Sequence, residues 1–533
     1  MMKSHSSLNF SFAQTARSFN SASKKFLAKK KSEKTLAHFK SLNAEIVNID
    51  NFQELSSLIL STPADRFNDV NCSTAIQRLG KLISREGKHK LDGSAIQKLV
   101  SLSFSTRFPP RQTSNLCHGV AVGKLNIFDE RLPQLLKKIF VDRNDYNLFE
   151  PKHFANIAWS FATLNIYNNQ VFDIISYQIR KVPWNQLVPQ DISMILWSFA
   201  TNSRHDEVLF QDFSRKLLST NLKKFSNQNI SNIVWSFAKL GIEDIHLFRH
   251  VLSEIEVRKG FKTFDPQNIS NITFSFAKLG LDDRLLFEFL KKELQSRGLK
   301  SFNNQNVANL LWSLARLNFK SKALLDVFTQ DIKSKKIMRF QPQDVAQIFW
   351  SLAKLEISDQ DLTNEIVRYI NLNLKKFEVH SYPQVVWSLG KLNIVDEKLT
   401  EMLVFETHKN SENLSTQSIS DFFEGLVMVK FNSIEKDYIS FFKYLVKTFS
   451  AKLHQASSKN ALLVAWSLAQ LNLLKELESE FKSCFDQETR IANLKILTDD
   501  SSLILFNNFC TKWFQQFPNS TVPKLLLQIT PPK

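Results

Sequence analysis

Polar side chains recur at nearly constant spacing along this 533-residue chain: His153, Asp191, Asn229, Asn268, Asn306, Asp344 and Ser381 lie 37 to 39 residues apart. Three residues after each stand Asn156, Met194, Asn232, Asn271, Asn309, Gln347 and Gln384. All but Met194 carry donors or acceptors suited to the edge of a nucleic-acid base, and residues three apart share one face of a helix. Helical-repeat RNA readers use two or three such side chains per repeat to read one base. Ordinary capping accounts equally for Asn and Asp at a helix start. Asn in mid-helix is intrinsically disfavoured and calls for a reason.

A second periodic set is cationic. Lys239, Lys278, Arg316, Lys354 and Lys391 occupy one register, preceded in it by Thr163 and Thr201. Stacked in space, they would form a row of positive charge suited to phosphates. Cations at helix C-termini are also favoured by the helix dipole, and the two explanations are compatible.

Four residues before each of these positions stands an aromatic anchor: Trp159, Trp197, Trp235, Phe274, Trp312, Trp350 and Trp387. A Ser follows each anchor. Identity in every repeat cannot discriminate bases, so both are read as scaffold. The ring is expected to pack on the neighbouring repeat, with base stacking as the alternative. The Ser is expected to bond back to the preceding turn or to allow close helix approach. Trp466 marks a later copy, and degenerate copies fit on Leu426, Val120 and Gln77, making eleven units.

The element that positions these residues is a helix pair. In Phe264–Gly280, residues Ile269, Ile272, Thr273, Phe276 and Ala277 define one apolar helix face. Asp265 or Pro266 suits the start and Gly280 the stop. Asp282 and Asp283 open a second helix, with Leu285, Leu286, Phe289 and Leu290 expected inward and an end near Gly298. No single pair can bury both its faces, whereas stacked neighbours share a continuous core. The chain is therefore expected to be all-α, an α-solenoid of roughly 38-residue repeats over about residues 60–475. Residues 476–533 are read as a helical cap.

The pattern Phe-x-[Pro/Asn]-Gln-[Asn/Asp]-[Ile/Val]-[Ser/Ala]-Asn-[Ile/Leu]-x-Trp-Ser-[Phe/Leu]-Ala-[Lys/Arg]-Leu resembles the octotricopeptide repeat. That family is related to the repeats of FAST-kinase-like and RAP-domain proteins, and similar repeats occur in intracellular bacteria. The resemblance covers roughly residues 60–475. It implies a sequence-selective RNA-binding protein acting on organellar transcripts in their stability, processing or translation. The Pro-rich, acidic-Trp segment of many algal repeats is absent from the second helix, and no RAP-like nuclease segment is recognisable.

Charge agrees with a polyanionic partner. Lys+Arg at 69 against Asp+Glu at 51 gives +18, which attracts nucleic acid or an acidic membrane face, or merely keeps the protein soluble. Residues 1–50 form a basic, Ser-rich segment whose first 32 residues lack Asp and Glu. This is the composition of an organelle transit peptide, mitochondrial or other, or of a disordered basic arm. Cytoplasm, or a host cell for a secreted bacterial protein, is the alternative location. Four dispersed cysteines argue against a disulfide scaffold or zinc module. Phosphate-binding glycine loops and hydrolase or metalloprotease motifs are absent. His246 and His250 form an i, i+4 pair with no recurring ligand beside it. No enzyme activity, cofactor, metal, small-molecule substrate or membrane insertion is therefore expected. The expected partner is single-stranded RNA, with protein partners as the rival.

Overall fold

The computed structural model describes residues 36–87, 92–409, 411–431, 436–485, 499–518, 523 and 526. The transit-peptide reading of the N-terminal segment thus falls largely outside the described residues. Those residues are helical and contain no strand. Two compact units divide them, residues 1–254 and 255–533.

In the first unit, the first helices of successive repeats are α1 (Asp69–Glu86), α2 (Pro110–Gly123), α3 (Pro151–Thr163), α4 (Pro189–Thr201) and α5 (Asn227–Leu240). Each packs against the next, and second helices such as Asn169–Lys181 and Glu207–Leu218 form the other layer. In the second unit the corresponding helices are α6 (Pro266–Lys278), α7 (Asn304–Arg316), α8 (Pro342–Leu355), α9 (Ser381–Lys391), α10 (Thr416–Met428) and α11 (Ser458–Gln470). They pack in the same sequential way from α6 to α11. Each unit is an α-solenoid stack of helix-turn-helix repeats. In the tail, Asp500–Gln516 packs on α11 through a face that buries Phe506, Phe509 and Trp513.

Local chemistry sets the repeat boundaries. Phe225, Phe264, Phe302 and Phe340 are buried one residue before a helix cap, and Ile230, Ile269, Val307 and Val345 are buried at the fourth helical position. These are the two positions of a hydrophobic staple, which fixes how the chain enters the helix. In α6, the five residues expected inward, Ile269, Ile272, Thr273, Phe276 and Ala277, are all buried. The helix ends as Leu281 N–H donates to the Phe276 carbonyl across Gly280, whose φ of +70° carries no penalty without a Cβ. Asn318, Glu356, Asn393, Lys430 and Asn472 repeat this left-handed stop in α7 to α11. The following helix Arg284–Arg297 is rotated from expectation. Leu286, Phe287, Leu290 and Leu294 are buried, while Leu285 and Phe289 stay half-exposed. The stack covers a second helix on two sides, and a single-helix periodicity does not register that.

Candidate functional site

The two polar registers do not share an environment. His153, Asp191, Asn268, Asn306, Asp344 and Ser381 are buried, and Asn229 is half-buried. All but Ser381, the first residue of α9, sit three residues into the first helix, and His153, Asp191, Asn229, Asn306 and Asp344 turn back onto the cap. Asn229 Oδ1 accepts the Ser226 N–H at 3.0 Å, and Ser226 Oγ accepts the Asn229 N–H at 3.1 Å. Asn306 and Asn303 form the same reciprocal box, and His153 Nδ1 accepts the Glu150 N–H at 3.1 Å. Such a box satisfies two of the orphan N–H groups at a helix start. Asp191 and Asp344 occupy the position as carboxylates. Burial pushes Asp191 up to about 6, against the opposing bond from the Val188 N–H, and burial also raises Asp344. At His153, Asp191, Asn229, Asn306 and Asp344 the side chain is thus engaged in capping, and at Asn268 and Ser381 it is buried.

The second register is open. Asn156, Met194, Asn232, Asn271, Asn309, Gln347 and Gln384 are all half-exposed. Asn156 Nδ2 donates to Ser114 Oγ at 3.2 Å. The side-chain amides of Asn271, Asn309, Gln347 and Gln384 have no hydrogen-bond partner among the described residues. The backbone carbonyls of this register are used by the Ser after each anchor. Ser160, Ser198, Ser236, Ser275, Ser313, Ser351 and Ser388 each donate Oγ–H to it at 2.6 Å.

The anchors form ladders of rings that are mostly half-exposed. In the first unit Trp197 stacks on Trp235 with centroids 6.4 Å apart, and His118 stacks on Trp159 at 5.3 Å. In the second unit Phe274, Trp312, Trp350 and Trp387 run in series at 4.9, 6.2 and 6.0 Å. Ring faces cover one another, so edges, including indole N–H groups, line the surface. The expected packing on the neighbouring repeat is present, and it is packing of ring on ring rather than burial in the core.

In the second unit this ladder lies in a groove of about 950 Å³. Lys278, Arg316, Lys354 and Lys391 line it beside the rings. Arg316 and Lys354 form no ion pair among the described residues, whereas Lys391 Nζ is 3.8 Å from Glu356 Oε1. Groove walls withdraw water from Lys354, and Lys459, Lys391 and Arg316 add like charge, so its ammonium pKa is lowered. Lys239 continues the register in the first unit, where Thr201 and Thr163 precede it. The cation row is thus concentrated in the second unit.

The degenerate repeats differ in register from the sequence alignment. The left-handed stop follows each anchor by six residues, and Lys430 and Lys124 are such stops. The anchor positions are therefore Glu424, not Leu426, and His118, not Val120. Leu426 and Val120 are fully buried, because apolar matching selects the core-facing residue two places on. Asp421 then stands in the amide register and Met428 in the cation register. Burial pushes Asp421 up to about 7 and also raises Glu424, which accepts a hydrogen bond from Trp387 Nε1 at 2.9 Å. The stop residue is the signal that would have revealed this acidic end from sequence.

Other candidates are not assembled into a site. His250 bonds the Thr220 carbonyl at 3.0 Å, and Asp499 caps its helix by accepting the Ser502 N–H at 2.9 Å. Among the described residues no group of three His, Cys, Asp or Glu side chains is placed to hold a metal ion. No described helix is long and apolar enough to cross a membrane.

The fold defines the class of the protein: an all-α helical-repeat protein. No protein-family model matches the chain, and no curated protein matches it. Among solved structures it is similar to a chain of a homology model of the full-length AP-3 complex in an intermediate open conformation. That likeness has 12% identity and a TM-score of 0.29 over 91% of this chain and 81% of the other, too loose to bear on function.

Proposed function

We propose that the chain binds single-stranded RNA sequence-selectively through the groove of its second unit, acting in transcript stability, processing or translation in an organelle. The observation that carries this reading is the groove's lining: an aromatic floor, four cations along it and the Gln384 amide, with Asn271, Asn309 and Gln347 half-exposed in the same register of the preceding repeats. Cations attract phosphates and release counterions, and unpaired amides offer donors and acceptors to base edges. Geometry favours a single strand. The rings step by 4.9 to 6.2 Å per repeat, against about 3.4 Å per nucleotide in a stacked strand. A strand keeping pace with the repeats must be extended, with bases unstacked and their edges displayed.

The test is a titration of the full chain with single-stranded RNA, double-stranded RNA and single-stranded DNA at several salt concentrations. Preferential, salt-dependent binding of single-stranded RNA supports the reading. Equal binding of all three reduces it to charge alone. A groove that binds a protein segment is the rival, and its mixed-charge end at Asp421 and Glu424 favours that rival. An absence of RNA binding, with a peptide ligand competing at Lys354, would select it.

A further inference from the structure

The groove ends on an anion of its own. Glu424 occupies the place held by an aromatic ring in each of the four preceding repeats, and its Oε2 accepts the Trp387 indole N–H at 2.9 Å. Desolvation raises the Glu424 carboxyl pKa, and the Trp387 N–H together with Lys459, Lys354 and Lys391, which line the same groove, work against it. One and two repeats earlier, Trp350 and Trp312 line the same groove beside Lys354 and Arg316. Their indole N–H groups have no hydrogen-bond partner among the described residues and are not buried. Beyond Glu424 the pattern stops. Met428 stands where the cation would be, Asp421 where the amide would be, and Trp466 Nε1 is buried without a partner.

We infer that Glu424 is an internal stand-in for a phosphodiester oxygen. It marks the end of the strand track, and it shows that the indole N–H groups of Trp312 and Trp350 are the donors that hold phosphate oxygens of a bound strand. This rests on the RNA reading and deepens it. A carboxylate oxygen and a phosphodiester oxygen are both anionic acceptors. The same donor beside the same kind of cation therefore binds either. In the ladder the site is open at Trp312 and Trp350, and it is filled by the chain itself at Trp387. A strand laid along α6 to α9 meets the Glu424 carboxylate next, already seated on the Trp387 N–H, and like charge turns it away.

The experiment compares oligo-uridylate probes of about 4 and about 10 nucleotides on the wild type, Glu424→Gln and Trp350→Phe, a length range natural to single-strand sites. In the wild type, affinity should plateau near the shorter probe. Glu424→Gln should bind the longer probe several-fold tighter, with the salt slope steeper by about 0.7 for one added phosphate. Trp350→Phe, the residue Phe274 already places in this ladder, keeps an aromatic ring and removes the N–H with the pyrrole half of the indole, and should weaken both probes several-fold. Melting curves on both variants separate binding from folding. The inference is overturned if the wild type binds both probes and Glu424→Gln changes neither the long-probe affinity nor the slope. It is also overturned if Trp350→Phe binds as the wild type does. A wild type that binds neither probe sinks the RNA reading itself, and the inference with it.

Discussion

Asp191→Asn replaces a buried capping carboxylate with the residue that Asn229, Asn268 and Asn306 place at the same position. Asp191 is 7% exposed and its carboxyl is pushed up to about 6, with burial the main cause. An unfolded aspartate titrates near 3.9, so the folded carboxyl binds more protons between about pH 4 and 6. The stability it contributes is therefore full below about pH 4 and is lost as pH rises through about 6. Two pKa units at 1.36 kcal/mol each make a penalty of about 3 kcal/mol at pH 8, and the same linkage gives about 1.5 kcal/mol at pH 5. An amide removes this term. Its Oδ1 retains the Val188 N–H bond, as Asn229 Oδ1 holds Ser226 N–H. Its Nδ2 gains nothing comparable: Asn229 Nδ2 reaches Ser193 Oγ at 2.9 Å, but Ala155 stands where Asp191 would need that hydroxyl. One unpaired buried N–H costs about 1 kcal/mol. The net gain is thus about 2 kcal/mol at pH 8 and about 0.5 kcal/mol at pH 5. The difference of about 1.5 kcal/mol between the two is the firmer quantity, because capping and amide terms cancel from it. Urea unfolding of the full chain at both pH values, followed by far-ultraviolet circular dichroism, measures it. A gain independent of pH, or larger at pH 5, would refute the argument that burial holds this carboxyl neutral.

Replacing Lys278 and Lys354 together by Gln should reduce the magnitude of the RNA salt slope by about 1.4 and weaken all sequences alike; an unchanged slope would leave these cations as helix caps only. Asn271→Ala should instead weaken one cognate sequence and leave the slope unaltered, while Asn306→Ala, which breaks the box with Asn303, should lower stability by about 1 kcal/mol with little sequence dependence. Trp235→Ala should cost about 2 kcal/mol by thermal melting, less than the about 3–5 kcal/mol of a fully enclosed aromatic, since the ring is half-exposed and stacked on Trp197. Gly425→Ser restores the residue found after most anchors, yet a Cβ there would lie 2.7 Å from Trp387 N. It should destabilise by about 1–3 kcal/mol, and a neutral melting temperature would contradict that contact.

Much of this architecture is written in the sequence because it is local and repeated. The staple phenylalanines, the capping residues and the left-handed stops act within a few residues of themselves, and repetition at about 38 residues multiplies a weak periodic signal into a clear one. The apolar face of α6 was legible for that reason. Tertiary packing decided the rest. His153 and Asn156 look equivalent on paper, three residues apart and both polar. Only the folded structure buries one, bonded to its own cap, and leaves the other half-exposed and reaching Ser114 of the preceding repeat. The degenerate repeat of α10 shows the same limit. Matching by apolar identity chose Leu426, the core residue, because the core is what similarity sees. The helix stop at Lys430 placed Glu424 on the groove instead, facing Trp387. A groove is made by side chains from successive repeats, and its charge depends on which face each helix turns toward its neighbours. Spacing within one repeat specifies the helix; the stack selects the face.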